Sequence, residues 1–169
     1  MQFATVALLA VFFLEKKFTD LKDIGSFVER WGLWFAFLLV VAGTATSLFY
    51  SEVLGFAPCG LCWLQRVFLY PQIILLGLAA WKRDSHVTLY SIWFSTIGAL
   101  IALYNHYLQM GGTDVIPCPA TRVNAAGITA DCAQRFMFEF GYITFPLMSF
   151  SLFAFLIVLM LFVRRSRNA

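Results

Sequence analysis

Four long apolar runs constrain the fold of this chain more than any other feature. Arg66 is the only Asp, Glu, Lys or Arg within them, and the runs cover about 32–50, 63–80, 87–108 and 142–163. Each run approaches the roughly 20 residues that a helix needs to cross a hydrocarbon core. Because backbone polar groups in lipid must be satisfied internally, and these runs are too long for barrel strands, we predict four membrane-spanning helices.

The composition indicates a lipid environment for most of the surface. Hydrophobic residues make up 61% of the sequence and charged residues 12%, whereas a soluble domain is roughly 45–50% apolar. The 169 residues leave room for one bundle and no sizeable second domain. We therefore predict an all-α membrane protein with a four-helix transmembrane domain over 31–165 and a long outer loop. An amphipathic, interfacial segment (1–30) precedes this domain, and a basic tail (166–169) follows it.

Pro71 and Pro146 fall inside the second and fourth runs. Each removes one backbone donor and is expected to kink or loosen its helix. Packing geometry alone is the simpler explanation for both, because membrane helices tolerate proline.

The N-terminal segment has two parts. Residues 1–14 are apolar but shorter than a normal span, so they either lie along the membrane surface or form a short fifth span. From 18 to 28, apolar side chains recur at helical spacing among charged ones. That pattern is typical of an amphipathic helix at the membrane interface.

Basic residues cluster on one side of the predicted bundle. They precede the first run, follow the second and end the chain: Lys16, Lys17, Lys22, Arg30, Lys82, Arg83, Arg164, Arg165 and Arg167. An excess of lysine and arginine marks the cytoplasmic side. We therefore predict that both termini are cytoplasmic and that the loops with the cysteines face outward, into the compartment where disulfides persist.

A Cys-x-x-Cys pair, Cys59 and Cys62, begins the second run, and Arg66 follows one helical turn later. Backbone N–H groups at a helix start stabilise a thiolate, and residues four apart share a helix face. Cys62 is therefore the better-placed thiolate. Arg66 can stabilise it and can also donate to a carbonyl oxygen of a bound carrier. The alternatives are a structural clip for the cysteines and snorkelling to lipid head groups for Arg66.

The other two cysteines, Cys118 and Cys132, lie fourteen positions apart in the long outer loop. Four cysteines on an oxidising face, without a Cys/His cluster, favour two disulfides over a zinc site. No metal site is predicted. Prolines on both sides of Cys118 favour an extended, solvent-reachable segment, which suits a sulfur attacked by another protein's thiolate.

The combined motifs resemble the DsbB/BdbC family of bacterial disulfide-bond formation proteins, over about 31–165. The first match is Pro58-Cys59-Gly60-Leu61-Cys62-Trp63-Leu64-Gln65-Arg66, followed by the second pair and four spans. Further matches are Tyr104-Asn105-His106-Tyr107-Leu108-Gln109 and Cys132-Ala133-Gln134-Arg135. Leu64-Gln65-Arg66 and Phe145-Pro146-Leu147 look more like the BdbC branch.

The resemblance implies a quinone-coupled thiol oxidoreductase of the bacterial cell membrane. Its partners would be a thioredoxin-fold protein of the DsbA/BdbD type, the membrane lipid and a pool of ubiquinone or menaquinone. No nucleic-acid partner is expected. By position, Cys62 lies next to the quinone and Cys59 is its disulfide partner. Arg66 and His106 contact the quinone. The reduced partner attacks Cys118, and the released Cys132 then attacks Cys59. Of the three possible pairings, we choose Cys59–Cys62 with Cys118–Cys132.

Polar residues near the outer ends of the spans have two interpretations each. His106 can bond a quinone oxygen or take up a proton, or it can simply lie at the head-group interface. Glu52 and Asn105 can assist proton delivery, but we expect interfacial solvation for both.

Two other functions fit part of the pattern. Proteins similar to vitamin K epoxide reductase also combine four cysteines with a quinone, but in that family the loop pair precedes the Cys-x-x-Cys, whereas here it follows. The other alternative is a non-enzymatic membrane scaffold whose disulfides only stabilise the outer loops. Quinone-dependent oxidation of a dithiol separates an oxidase from a scaffold.

Overall fold

The computed structural model describes residues 22–55, 58–82, 87–113, 132 and 144–168. These ranges are mostly helical and contain no strand, and their four α-helices are α1 (Lys22–Leu48), α2 (Gly60–Lys82), α3 (Val87–Gln109) and α4 (Phe145–Asn168). A π-helical turn, Phe49–Val53, continues α1. Within the described residues, four segments are long and apolar enough to cross a membrane: Trp31–Val53, Gly60–Lys82, Val87–Gln109 and Phe145–Arg165. The predicted all-α fold with four spans is confirmed.

Two of the differences between the helix boundaries and the apolar runs bear on the expectations above. α1 begins at Lys22 and passes without a break through the boundary that we expected near residue 31. α4 begins at Phe145, so Pro146 lies in its first turn instead of inside the span. The expected kink at Pro146 is therefore wrong, because a first-turn residue needs no intrahelical N–H bond. Pro71 does lie inside α2. The expectations for 1–14 and for the start of the amphipathic segment lie outside the described residues.

The helices form an antiparallel ring. α1 packs on α2 and α4, and α3 packs on the same two helices. Most of the core lies in the bundle interior between α1, α2 and α4, where its largest fully buried side chains are Phe153, Leu76, Leu156, Met160 and Val40. Successive antiparallel helices bring the end of α1, the start of α2, the end of α3 and the start of α4 to the same end of the bundle.

One face of α3 consists of small and polar residues that are buried. They recur at alternating spacings of three and four positions: Thr88, Ser91, Ser95, Gly98, Ala102, Asn105 and Gln109. Small residues let helices in lipid approach closely, and polar ones hydrogen-bond across the interface. We call this row the α3 seam.

Buried hydrogen bonds fasten the α3 seam to α2. Ser91 Oγ and Ser95 Oγ donate to Gln72 Oε1 at 3.1 and 3.2 Å, while Gln72 Nε2 donates to the Phe68 carbonyl at 3.0 Å. All three side chains are fully buried. Because water is excluded there, these bonds hold α2 and α3 in one register, which places the Cys-x-x-Cys pair relative to the end of α3.

Replacement of Gly98 by alanine is expected to destabilise the bundle by about 1–3 kcal/mol, because an added Cβ overpacks a filled site. That atom would lie 2.5 Å from Cζ of the fully buried Phe153 ring. Gly77→Ala is the control, since its Cβ would only reach 3.2 Å from Phe37, a partly buried ring that can shift. Thermal unfolding in detergent measures both. Equal midpoints for the two variants would contradict the expectation.

Candidate functional site

The predicted site residues of α2 and α3 lie at one end of the bundle. Hydrogen bonds join neighbouring helices there: Arg66 to Ser47, Asn105 to Cys59 and Cys62, and His106 to Thr144. Each bond connects the start of one helix to the end of another. The antiparallel ring therefore gathers these separate stretches of sequence into one site.

The Cys-x-x-Cys pair forms the first turn of α2. The Cys59 carbonyl accepts the backbone N–H of Trp63 at 3.1 Å, and the Cys62 N–H donates to Cys59 Sγ at 3.3 Å. Cys59 is buried, whereas Cys62 is partly exposed. Both are free thiols, so the structure holds the pair in its reduced form and not as the expected Cys59–Cys62 disulfide.

The two sulfurs have different roles in their mutual contact. The side-chain hydrogen bond with Cys62, followed by burial, raises the pKa of Cys59 above its ordinary value. This shift favours the protonated form of Cys59. The other sulfur, Cys62, is the one that the sequence indicates as the better-placed thiolate.

Asn105 lies beside both sulfurs. Its Nδ2 is 3.7 Å from Cys59 Sγ and 3.6 Å from Cys62 Sγ, and the residue is fully buried. Our expectation that Asn105 is solvated at the interface is therefore wrong. The reason is its place on the α3 seam, which faces α2 and not the membrane surface.

Cys132 packs beside the Cys-x-x-Cys pair. Cys59, Leu61, Leu108 and Cys132 form one buried cluster, against which Cys62 also packs. We call these five residues the redox cluster. Cys132 is 1% exposed and is disulfide-bonded. The predicted entry residue, Cys118, lies outside the described residues. Three of the four cysteines are thus brought together, with a disulfide sulfur next to a dithiol.

Arg66 is buried, with a relative exposure of 6%. Its Nε donates to Ser47 Oγ at 2.9 Å and its Nη2 donates to the Ser47 carbonyl at 2.7 Å, while the guanidinium lies 5.1 Å from the Trp63 ring centre. Nη1 is buried and has no hydrogen-bond partner within the described ranges. Snorkelling does not describe this side chain, because a snorkelling guanidinium is exposed. The geometry leaves one buried N–H donor group free for an acceptor such as a carbonyl oxygen.

His106 belongs to a different helix interface. Its Nδ1 lies 2.8 Å from Thr144 Oγ1, next to the start of α4. The structure records no hydrogen bond between His106 and Arg66, which is held at the interface of α1 and α2. A shallow depression of about 550 Å³ lies along α3 and is lined by Leu100, Leu103, Tyr104, His106, Tyr107 and Met110. The surface of this depression is almost wholly apolar, which suits a lipid-soluble ring.

Sequence reasoning did not identify Ser47 and Thr144 as site residues, and it did not predict the contact of Asn105 with the two cysteines. Asn105 had a signal, because it continues the three-and-four spacing of small and polar residues along the α3 seam. Ser47 and Thr144 are hydroxyl residues near the ends of apolar segments, a common feature with no local pattern. Among the described residues, no group of three or more His, Cys, Asp or Glu side chains is arranged to hold a metal ion.

Comparison with known proteins gives a consistent set of matches. The profile of the family "Disulfide bond formation protein DsbB" matches residues 29–163. The chain is 33% identical over 136 residues to the "Probable disulfide formation protein C" of Halalkalibacterium halodurans, covering 80% of this chain and 93% of that protein. It is 40% identical over 118 residues to the "SPbeta prophage-derived disulfide bond formation protein B" of Bacillus subtilis, covering 70% and 75%.

A second protein of Bacillus subtilis, "Disulfide bond formation protein C", is 31% identical over 138 residues, covering 80% of this chain and 91% of that protein. No solved structure matches the chain. The matched region contains α2, α3, Cys132 and nearly all of the last span, so it includes every described residue of the site.

Proposed function

Since this chain belongs to the DsbB family of disulfide bond formation proteins and is a multi-pass membrane protein, we propose that it is a quinone-linked thiol oxidoreductase. It reoxidises a thioredoxin-fold dithiol oxidase of the DsbA or BdbD type and passes the electrons to membrane ubiquinone or menaquinone. The observation that carries the proposal is the packing of disulfide-bonded Cys132 against Cys59 in the redox cluster. A scaffold has no need to place one pair of cysteines next to another.

The electrons move by a series of thiol–disulfide exchanges. A thiolate of the reduced partner attacks Cys118 of a Cys118–Cys132 disulfide, forms a mixed disulfide and releases Cys132 as a thiolate. Cys132 then attacks Cys59 of an oxidised Cys59–Cys62 pair. The new bond joins Cys132 to Cys59, and the electron pair of the broken bond stays on Cys62. The second thiolate of the partner resolves the mixed disulfide, so the partner leaves oxidised and Cys118 is released. Cys118 then attacks Cys132, which re-forms the Cys118–Cys132 bond and frees Cys59. Each of these steps is the in-line exchange that thiolates perform. Cys59 and Cys62 are left reduced, and transfer of two electrons and two protons to a quinone would restore their bond.

The residues near Cys62 fit a quinone. When bound, a quinone supplies an acceptor for two electrons and two protons. Arg66 would hold a ring carbonyl through Nη1, a buried donor that has no partner in the part of the chain that the structure describes. His106 and the depression along α3 offer a ring nitrogen and an apolar surface at the same end of the bundle. Ser47 fixes the guanidinium so that Nη1 is the group left over.

The direction of the chain in the membrane follows from its basic residues. With both termini in the cytoplasm of a bacterial cell, the redox cluster lies at the outer end of the bundle. A reduced partner outside the cytoplasm then reaches the outer loop, while a quinone reaches the same end of the bundle from the lipid. This arrangement keeps a water-soluble donor and a lipid-soluble acceptor apart.

The decisive experiment follows quinone absorbance anaerobically with the purified protein in detergent. We expect the wild type to reduce quinone when a reduced DsbA- or BdbD-type protein is supplied. Cys118→Ala is expected to slow this reaction by at least about 10³-fold, because the nucleophilic exchange has lost its entry sulfur. The same variant should still reduce quinone with dithiothreitol, which is small enough to reach the partly exposed Cys62 directly.

The outcomes separate the alternatives. Absence of quinone reduction with either donor, in a folded wild-type protein, would support a scaffold. Normal oxidation of the protein partner by Cys118→Ala would show that electrons enter elsewhere.

A further inference from the structure

We propose that Asn105 is a catalytic residue, whose side-chain amide stabilises the Cys62 thiolate when the Cys59–Cys62 bond opens. This inference rests on the proposed function, in which that pair carries the electrons. Asn105 touches both reacting atoms, since one nitrogen lies 3.7 Å from Cys59 Sγ and 3.6 Å from Cys62 Sγ. A single amide group thus faces both sides of the bond that breaks.

The amide discriminates between the two redox states. The Cys132 thiolate attacks Cys59, the Cys59–Cys62 bond breaks, and its electron pair moves onto Cys62. A disulfide sulfur is a weak hydrogen-bond acceptor, whereas a thiolate is charged, and hydrogen bonds to charged groups are roughly twice as strong as neutral ones. The Asn105 N–H groups therefore stabilise the product and the developing charge more than the starting disulfide, which is the condition for lowering a barrier.

Burial increases the effect. Asn105 is fully buried, so water does not compete for its N–H groups, and the low local dielectric strengthens their interaction with a negative sulfur. The amide is also held in place before the reaction, because α2 and α3 are fastened through Gln72, Ser91 and Ser95. Its alignment costs no reorganisation when charge appears on Cys62.

A purely structural role does not account for Asn105. Its Oδ1 is buried and has no hydrogen-bond partner among the residues that the structure describes, and an unsatisfied buried acceptor costs stability. Gln72, a buried amide of α2 that bonds to the α3 seam, uses both of its polar atoms. An apolar residue of the same size would avoid the penalty at position 105. The donor half of the amide, which reaches the two sulfurs, is the part with a function.

The test is the reduction equilibrium of the Cys59–Cys62 pair in the full chain, measured in dithiothreitol redox buffers without quinone or protein partner. Alkylation of the two cysteines, quantified by mass spectrometry, reports the reduced fraction. Asn105→Leu is expected to lower the equilibrium constant for reduction by about tenfold, equivalent to about 30 mV for a two-electron couple. Asn105→Asp retains the size and polarity of the side chain but replaces the donor, and we expect a decrease at least as large.

The control is Ser151→Ala. It removes a hydrogen bond of a buried serine within α4 without touching either sulfur or the contacts between α2 and α3, so it should leave the reduction equilibrium within about twofold of wild type. An unchanged equilibrium in both folded Asn105 variants would overturn the proposal. Because the measurement uses neither quinone nor partner, a failure of the proposed electron acceptor would appear separately, as a wild-type protein with normal thiol equilibria and no quinone reduction.

Discussion

Cys62→Ser is expected to lower quinone reduction by at least about 10³-fold, the scale of loss when a covalent catalytic group is removed. Serine forms no disulfide, so Cys132 has no Cys59–Cys62 bond to open and no sulfur next to the acceptor carries the electron pair. Cys59 remains, and it packs with disulfide-bonded Cys132 in the redox cluster. We therefore also expect the variant to accumulate a Cys59–Cys132 disulfide, with Cys118 released as a thiol.

Peptide mapping of the non-reduced Cys62→Ser protein detects this bond. Cys59→Ser is the matched control, since it should be equally inactive but lack the sulfur needed for the cross-link. A Cys62→Ser protein in which Cys59 stays free and Cys132 keeps its original partner would contradict direct exchange between these two cysteines.

Arg66→Leu is expected to raise the KM for quinone by about 10- to 100-fold, because a charge-assisted hydrogen bond contributes about 1.5–3 kcal/mol. Lysine should not restore binding, since it lacks the planar group that contacts Ser47 through two nitrogens and leaves a third free. Initial rates with dithiothreitol as the electron donor and varied quinone measure the effect.

Ser47→Ala separates the two parts of this contact. It removes the acceptor of Nε but keeps the backbone carbonyl that accepts Nη2, so a KM increase of about threefold to tenfold is expected for the loss of one hydrogen bond. The stability of Arg66→Leu gives a second check. A buried guanidinium with an unpaired nitrogen is costly, and the leucine variant should unfold no more easily than the wild type. An unchanged KM in Arg66→Leu would mean that quinone binds away from this residue.

The spans were predictable from the sequence because a helix must be long and apolar to cross lipid. The four runs meet this requirement and are too long for barrel strands. The exact ends were not. Hydropathy identifies the part of a helix that lies in hydrocarbon, but α1 continues to Lys22 through charged residues that a helix tolerates outside the lipid. The start of α4 depends on Thr144, whose carbonyl accepts the N–H of Met148, a local contact that no apolar count reveals.

The site was predictable only where its residues are neighbours in sequence. Cys59, Cys62 and Arg66 follow from the geometry of one helix start. The role of Asn105 depends on how α3 faces α2. The α3 seam predicts that Asn105 is buried, but it does not predict which residues lie opposite. The contact with two sulfurs 43 and 46 positions earlier is visible only after the helices are packed.

The unequal packing of the ring bears on how a carrier reaches Arg66. α3 packs most extensively on α4 and is hydrogen-bonded to α2, whereas α1 has the smaller interfaces and is the least buried of the four spans. At the end of the bundle that holds the redox cluster, hydrogen bonds between Arg66 and Ser47 connect α1 to α2. We expect α1 to separate from its neighbours first, while α2, α3 and α4 stay packed together. A hydrophobic molecule would then enter from the bilayer between α1 and α2. The hydrogen bonds between Arg66 and Ser47, which orient the guanidinium, would have to break to let it in.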